Sequence, residues 1–153
     1  TVDITAEPGQ SVAVVIGPEL AHPQDPTREM LVASSSGHRA LWFYAEDKDM
    51  ELPAPALKAS VEAVGDGFDI VVEASTLQRD IAVLADRADP DAVCDDMLFT
   101  LLPGESRRVH VRSASLVDPG ELISDRVLRS ANQLVGAAKA NAPKVAASEN
   151  GGA

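Results

Sequence analysis

Turn-forming residues recur along the chain at short, fairly even intervals: Pro8-Gly9, Gly17-Pro18, Ser36-Gly37, Gly65-Asp66-Gly67, Asp89-Pro90 and Pro103-Gly104. Breaks this closely spaced leave room for short strands and for few helices. The segments between them alternate with period two. Ser11 to Ile16 sets Val12, Val14 and Ile16 on one face; Phe68 to Ala74 sets Phe68, Ile70, Val72 and Ala74 on one face, with Asp69 and Glu73 opposite. That is the pattern of a half-buried antiparallel strand. Glu29 to Ser34, Arg39 to Glu46, Ala59 to Val64, Leu77 to Ala85, Met97 to Leu102 and Arg107 to Ser113 read the same way, which makes eight candidate strands. Gly65-Asp66-Gly67 is a hairpin signal, glycine tolerating the positive φ of tight turns. Without βαβ spacing, the class is all-β: an immunoglobulin-like antiparallel β-sandwich of seven to nine strands, favoured over a barrel.

After Ser113 the pattern changes. Asp118-Pro119-Gly120-Glu121 has the order of a helix start, an acid at the N-cap and proline at the first helical position. Ile123, Val127, Ala131, Leu134 and Ala138 follow at helical spacing. The expected organisation is therefore a sandwich over 1–115, an extension over 116–140 that is helical or extended, and a flexible tail over 141–153, where Val145 is the only large apolar side chain.

Composition bounds what such a chain can do. With 153 residues, 45% of them apolar, one core is expected, and a chain this long folds without a metal or a disulfide. Cys94 has no partner for an internal bridge. Thirteen Lys and Arg against 24 Asp and Glu give a net charge of −11, and no basic patch opposes that field, so nucleic acid is not an expected partner. Apolar runs such as Val12 to Ile16 are too short to cross a bilayer, so no membrane partner is expected either. Asp3, Glu7 and Pro8-Gly9 stand where a signal peptide would carry its basic and apolar regions, and the chain opens on Thr1 without an initiator Met. A soluble piece of something longer is the expectation, with the compartment open and the cytoplasm favoured.

Reactive constellations are scarce. His22, His38 and His110 come without a Gly-x-Ser-x-Gly elbow, and His110 reads as a solvent-facing strand residue between Val109 and Val111. Cys94 lacks a Cys-x-x-Cys partner and reads as inert. Asp86, Asp89, Asp91, Asp95 and Asp96 form an acid-rich run, but no glycine and closing glutamate stand at calcium-loop spacing, so a solvated loop is expected and no metal or other cofactor. Trp42, Phe43 and Tyr44 fall on one expected strand, Trp42 and Tyr44 on the same face. They are the two candidate ligand-binding residues, as a sugar-stacking platform. The favoured reading makes Trp42 a core aromatic instead, since a chain with 3% aromatics has few to spare for its surface.

Several strings together carry a resemblance: Phe43-Tyr44-Ala45-Glu46-Asp47-Lys48-Asp49, Leu52-Pro53, Gly67-Phe68-Asp69-Ile70, Ala74-Ser75-Thr76-Leu77-Gln78-Arg79-Asp80-Ile81, Asp95-Asp96-Met97-Leu98-Phe99, and Leu101-Leu102-Pro103-Gly104-Glu105. Their order and spacing over Met30 to Val111 resemble the C-terminal immunoglobulin-like domain of β-mannosidases in glycoside hydrolase family 2. Val127-Leu128-Arg129-Ser130-Ala131-Asn132 is similar to the closing stretch of bacterial members. The resemblance implies a parent enzyme that removes terminal β-mannosyl residues by the retaining route, with two catalytic glutamates on a TIM barrel, the acid/base one preceded by asparagine. Here the asparagines precede Gln133, Ala142 and Gly151, and the chain is too short for a barrel of about 250 residues, so no catalytic residue carries over. The implied role is a non-catalytic accessory domain whose partners are the parent's other domains. An autonomous carbohydrate-binding module that takes mannose-containing oligosaccharides through Trp42 and Tyr44 is the alternative. Asp95-Asp96 is expected to anchor its loop to the following strand, and Pro103-Gly104 to form a turn feeding the next one.

Overall fold

The computed structural model describes residues 3–113 and 117–135. The chain divides into two compact units, Thr1–Glu51 and Leu52–Ala153, where the sequence suggests one sandwich over 1–115.

In the first unit, Pro18–Ala21 forms a single helical turn, α1, and Met30–Ser35 (β1) pairs antiparallel with His38–Phe43 (β2). Ser36 and Gly37, the two residues between them, have φ of 47° and 81°. Positive φ at both central positions is what a type I′ hairpin turn requires, and its twist matches that of the strands it joins. Asp25 organises the approach to β1, its Oδ1 accepting from the Thr27 N–H and hydroxyl at 3.0 and 2.6 Å. Arg28 donates from Nε and Nη2 to Glu51 Oε2 at 2.8 and 2.6 Å, tying the end of the unit back to that turn. The strand expected over Ser11–Ile16 is not formed: residues 11–17 have no regular structure and Val12, Val14, Val15 and Ile16 are exposed. Apolar alternation suits a segment to a sheet, but a strand exists only where a neighbour takes up its N–H and C=O groups.

The second unit holds the sandwich. One sheet has the order β3 (Leu57–Val64), β4 (Gly67–Ala74), β8 (Ser106–Arg112), β6 (Val93–Cys94); the other has β7 (Leu98–Leu101), β5 (Gln78–Val83), β9 (Leu128–Arg129). All pairs are antiparallel. With β1 and β2, nine strands lie among the described residues, and the fold is an all-β, immunoglobulin-like sandwich as the alternation predicts. Its core holds Ile70, Val72 and Ala74 from β4, on the face that the alternation picks out, together with Val109 and Val111 from β8 and Ile81 and Val83 from β5, with Leu101, Leu122 and Leu128 closing the ends. Burying each of the larger ones contributes about 1.5–3 kcal/mol.

Glycines define two of the corners. Gly104 has φ +83° and follows Pro103, and the Glu105 N–H donates to the Leu102 carbonyl at 3.1 Å, the geometry of a type II turn. The Glu105 carboxylate accepts the Leu102 N–H at 2.8 Å and closes the same turn from outside. In the β3–β4 hairpin the expected positive φ is absent from Gly65 and Gly67. Gly67 is required for a different reason: β4 and β8 approach so closely that a Cβ there would lie 2.0 Å from the Val111 carbonyl oxygen.

The C-terminal segment, expected to be helical or extended, is both by turns within its described residues. The Asp118 side chain caps the Gly120 N–H at 2.9 Å as expected, but the helix α2 (Pro119–Leu122) lasts one turn. The chain then enters β9, where Val83 pairs with Leu128 and Ala82 with Arg129, before a helical turn over 131–135. The open edge of β5 accounts for the break: pairing there satisfies backbone groups and buries Val127 and Leu128, which an isolated helix would leave half exposed. Residues 136–140 of the expected extension and the expected tail, 141–153, lie outside the described residues.

This closing segment is fastened by buried polar side chains. Asn132, 2% exposed, donates to the Pro53 and Leu77 carbonyls at 3.0 and 2.8 Å, and its Oδ1 accepts the Arg79 N–H at 2.9 Å. Gln78, fully buried, donates to the Thr76 hydroxyl at 2.9 Å and accepts from the Ser130 hydroxyl at 3.2 Å. Three separate stretches of chain thus meet at two amides.

Two outcomes test these assignments in thermal or urea unfolding. Gly67→Ala is expected to lose about 1–3 kcal/mol through backbone displacement. Asn132→Ala is expected to lose about 2–4 kcal/mol, since truncation takes the partner from the Arg79 N–H and the Pro53 carbonyl and leaves the Leu77 carbonyl with Gln78 alone.

Candidate functional site

The two candidate ligand-binding aromatics, Trp42 and Tyr44, differ in their surroundings. Trp42 lies on β2 opposite Leu31 and is 65% exposed, which overturns its reading as a core aromatic. The second unit fills its interior with branched aliphatic residues, whereas β2 belongs to the two-stranded sheet of the first unit, where Met50, outside that sheet, is the one buried residue among those described. Such a sheet has no interior in which to place an indole. Tyr44 stands just past the end of β2, half-buried, with its hydroxyl donating to the Leu20 carbonyl on α1. One indole is therefore open to a ligand, while the neighbouring phenol is engaged within its own unit.

The acidic run serves the loop it lies in. Asp89 is buried, accepting from the Ser113 hydroxyl at 2.5 Å and the Asp91 N–H at 3.1 Å. Asp95 accepts the His110 N–H at 2.8 Å, and Asp96 accepts the Leu98 N–H at 3.4 Å while pairing with Arg107 at 2.5 Å. Asp96 thus anchors the loop to the following strand, as expected, while Asp95 ties it to β8 instead. Among the described residues no three His, Cys, Asp or Glu side chains converge as a metal would need. Burial, with Asp95, Asp86 and Asp96 adding to it, pushes the Cys94 thiol above its ordinary range, away from the thiolate that reacts.

One cluster escapes a reading by motif. On the outer face of the β4–β8 pair, Asp69 lies directly opposite His110. His110 Nδ1 is 2.8 Å from Asp69 Oδ1 and its Nε2 is 3.2 Å from Asp66 Oδ1, in the β3–β4 turn; Arg108 Nη1 reaches Asp69 Oδ2 at 2.6 Å. The hydrogen bond that His110 donates to Asp69 raises the pKa of His110 and the Asp66 charge adds to it, while bonds from His110 and Arg108 lower that of Asp69. These residues are 39 to 44 positions apart in the chain, and only the strand register joins them. Beside them an open groove of about 770 Å³ runs over Phe68, Val64 and Val93, with Asp66, Asp91 and Arg112 at its rim.

The arrangement offers hydrogen-bonded carboxylates on a sheet surface and an exposed indole. A family model of the Ig-fold domain Ig_mannosidase matches residues 52–134. The match takes in every strand of the sandwich and the closing stretch through Asn132, and it leaves the Phe43-to-Asp49 string outside. No curated protein matches the chain. No helix among the described residues is long and apolar enough to cross a membrane. The matched span is more than half of the 153 residues, and the chain belongs to the Ig_mannosidase family of Ig-fold domains.

Proposed function

We propose that this chain is a non-catalytic accessory module of a β-mannosidase-like glycoside hydrolase, acting by packing against the enzyme's other domains. The observation that carries the reading is the coincidence of the family match over 52–134 with a sandwich whose buried polar groups close its own fold. The first unit adds support. Its Val12, Val14, Val15, Ile16, Leu20, Val32 and Trp42 are exposed, and a two-stranded hairpin with so little buried surface is stable only when something covers it. The parent's reaction would be retaining hydrolysis of terminal β-mannosides, which uses two carboxyl groups about 5–5.5 Å apart as acid/base and nucleophile. Asp69, Asp89, Asp95 and Asp96 are instead held by hydrogen bonds to neighbours of the same sheets and loops.

The exposure of Trp42 favours a second reading, a carbohydrate-binding surface of one stacking aromatic. Two measurements on the full chain separate the alternatives. An aryl β-mannoside is expected to show no turnover, and turnover would overthrow the accessory reading. Tryptophan emission is expected at the long-wavelength limit of a hydrated indole, open to collisional quenchers and unchanged by mannooligosaccharides. A saturable change on adding the sugar would favour the second reading.

A further inference from the structure

The cluster on the outer face of β4 and β8 has a protonation requirement that follows from counting donors. A carboxylate accepts hydrogen bonds and donates none, and a neutral imidazole has one N–H. His110 faces Asp69 with Nδ1 and Asp66 with Nε2, so both contacts are satisfied together only by the imidazolium. When the proton leaves, one ring nitrogen turns a lone pair toward a carboxylate and that contact becomes repulsive. The two carboxylates are not equally free to move. Asp69 has a side chain 14% exposed, sits within a strand and is held on its other oxygen by Arg108; Asp66 is 70% exposed and sits in a two-residue turn.

We propose that His110 is a protonation-gated clip that fastens the Gly65–Asp66 turn to β8, and that Asp66 is the arm released when the imidazole becomes neutral. The charged groups around the ring favour the closed form. β4 supplies Asp69, and β3 supplies Glu62, directly opposite Asp69. The segment after β6 supplies Asp95, bonded to the His110 N–H, and β8 itself supplies Arg108 and Arg112. Asp66 in the turn brings the carboxylates to four against two guanidinium groups, one of which is engaged by Asp69. The raised pKa of His110 agrees with that balance. The turn has a second tie to the end of β8, the Ser113 N–H donating to the Asp66 carbonyl at 3.4 Å, and it forms one wall of the groove that Val93 and Arg112 complete. Release of Asp66 therefore loosens that wall.

The sign follows from linkage. A histidine whose folded pKa lies above its unfolded value stabilises fully below the unfolded value, and this contribution is lost as pH rises through the folded one. Asp69, whose pKa is lowered, contributes above its ordinary value of 3.8 and loses that contribution as pH falls through the folded one. The clip is closed between these limits.

Imidazole and amide NMR titration of the full chain from about pH 5 to about pH 8 tests the proposal. His110 is expected to titrate above the ordinary 6.5 and to become the Nδ1–H tautomer, with the Gly65, Asp66 and Ser113 amide shifts following the same midpoint. Asp66→Asn, an exposed change that leaves the strands intact, is expected to lower that midpoint, and His110→Gln to remove the pH dependence of the turn amides. A midpoint at or below 6.5, an Nε2–H neutral form, or turn amides that ignore the histidine would each overturn it.

Discussion

Contact between the inner faces of the two sheets of the second unit is the constraint on which the rest of the structure depends. Ile70, Val72, Val109 and Val111 from one sheet and Ile81, Val83 and Leu101 from the other form a single buried cluster. Their alternation along β4, β8 and β5 leaves Asp69, Glu73, Arg108 and His110 no place but the outside. Register then brings His110 opposite Asp69, so the surface cluster is a by-product of how the interior packs. The close approach of β4 and β8 that excludes a Cβ at Gly67 has the same origin.

A small sandwich must also hold its ends, and here that is the work of polar side chains. Gln78 and Asn132 occupy buried positions where aliphatic residues would leave the Leu77 and Pro53 carbonyls without donors. Because an amide both donates and accepts, each can join backbone from segments distant in sequence without an unsatisfied group of its own. This gives a physical reason for the strings around Gln78 and Asn132 that the resemblance rests on. They hold the closing strand β9 against β5 and touch no reactive centre. The accessory role proposed for the chain is consistent with polar groups spent on cohesion.

Legibility from the sequence followed the range of the interaction. Seven of the eight expected strands are present, because period-two alternation and turn chemistry are local properties. The Pro103-Gly104 turn, the Asp118 cap and the Asp96 anchor were legible for the same reason, each bond spanning a few residues. Ser11–Ile16 shows the limit: its pattern is as regular as that of β4, yet no described strand pairs with it. Trp42 shows another, since whether an aromatic is buried depends on what lies across from its strand, and alternation is silent about that.

By itself the sequence determined the all-β class, the place of most strands and the inward face of β4, because side-chain period and turn preference act over a handful of neighbouring residues. Only the tertiary structure decided that Leu128 joins a sheet rather than continuing a helix, that Gly67 is needed for close approach, and that His110 stands between two carboxylates. Each of these depends on contacts between segments some 40 residues apart in the chain, and strand register, which places such segments side by side, is a property of the whole packed sheet.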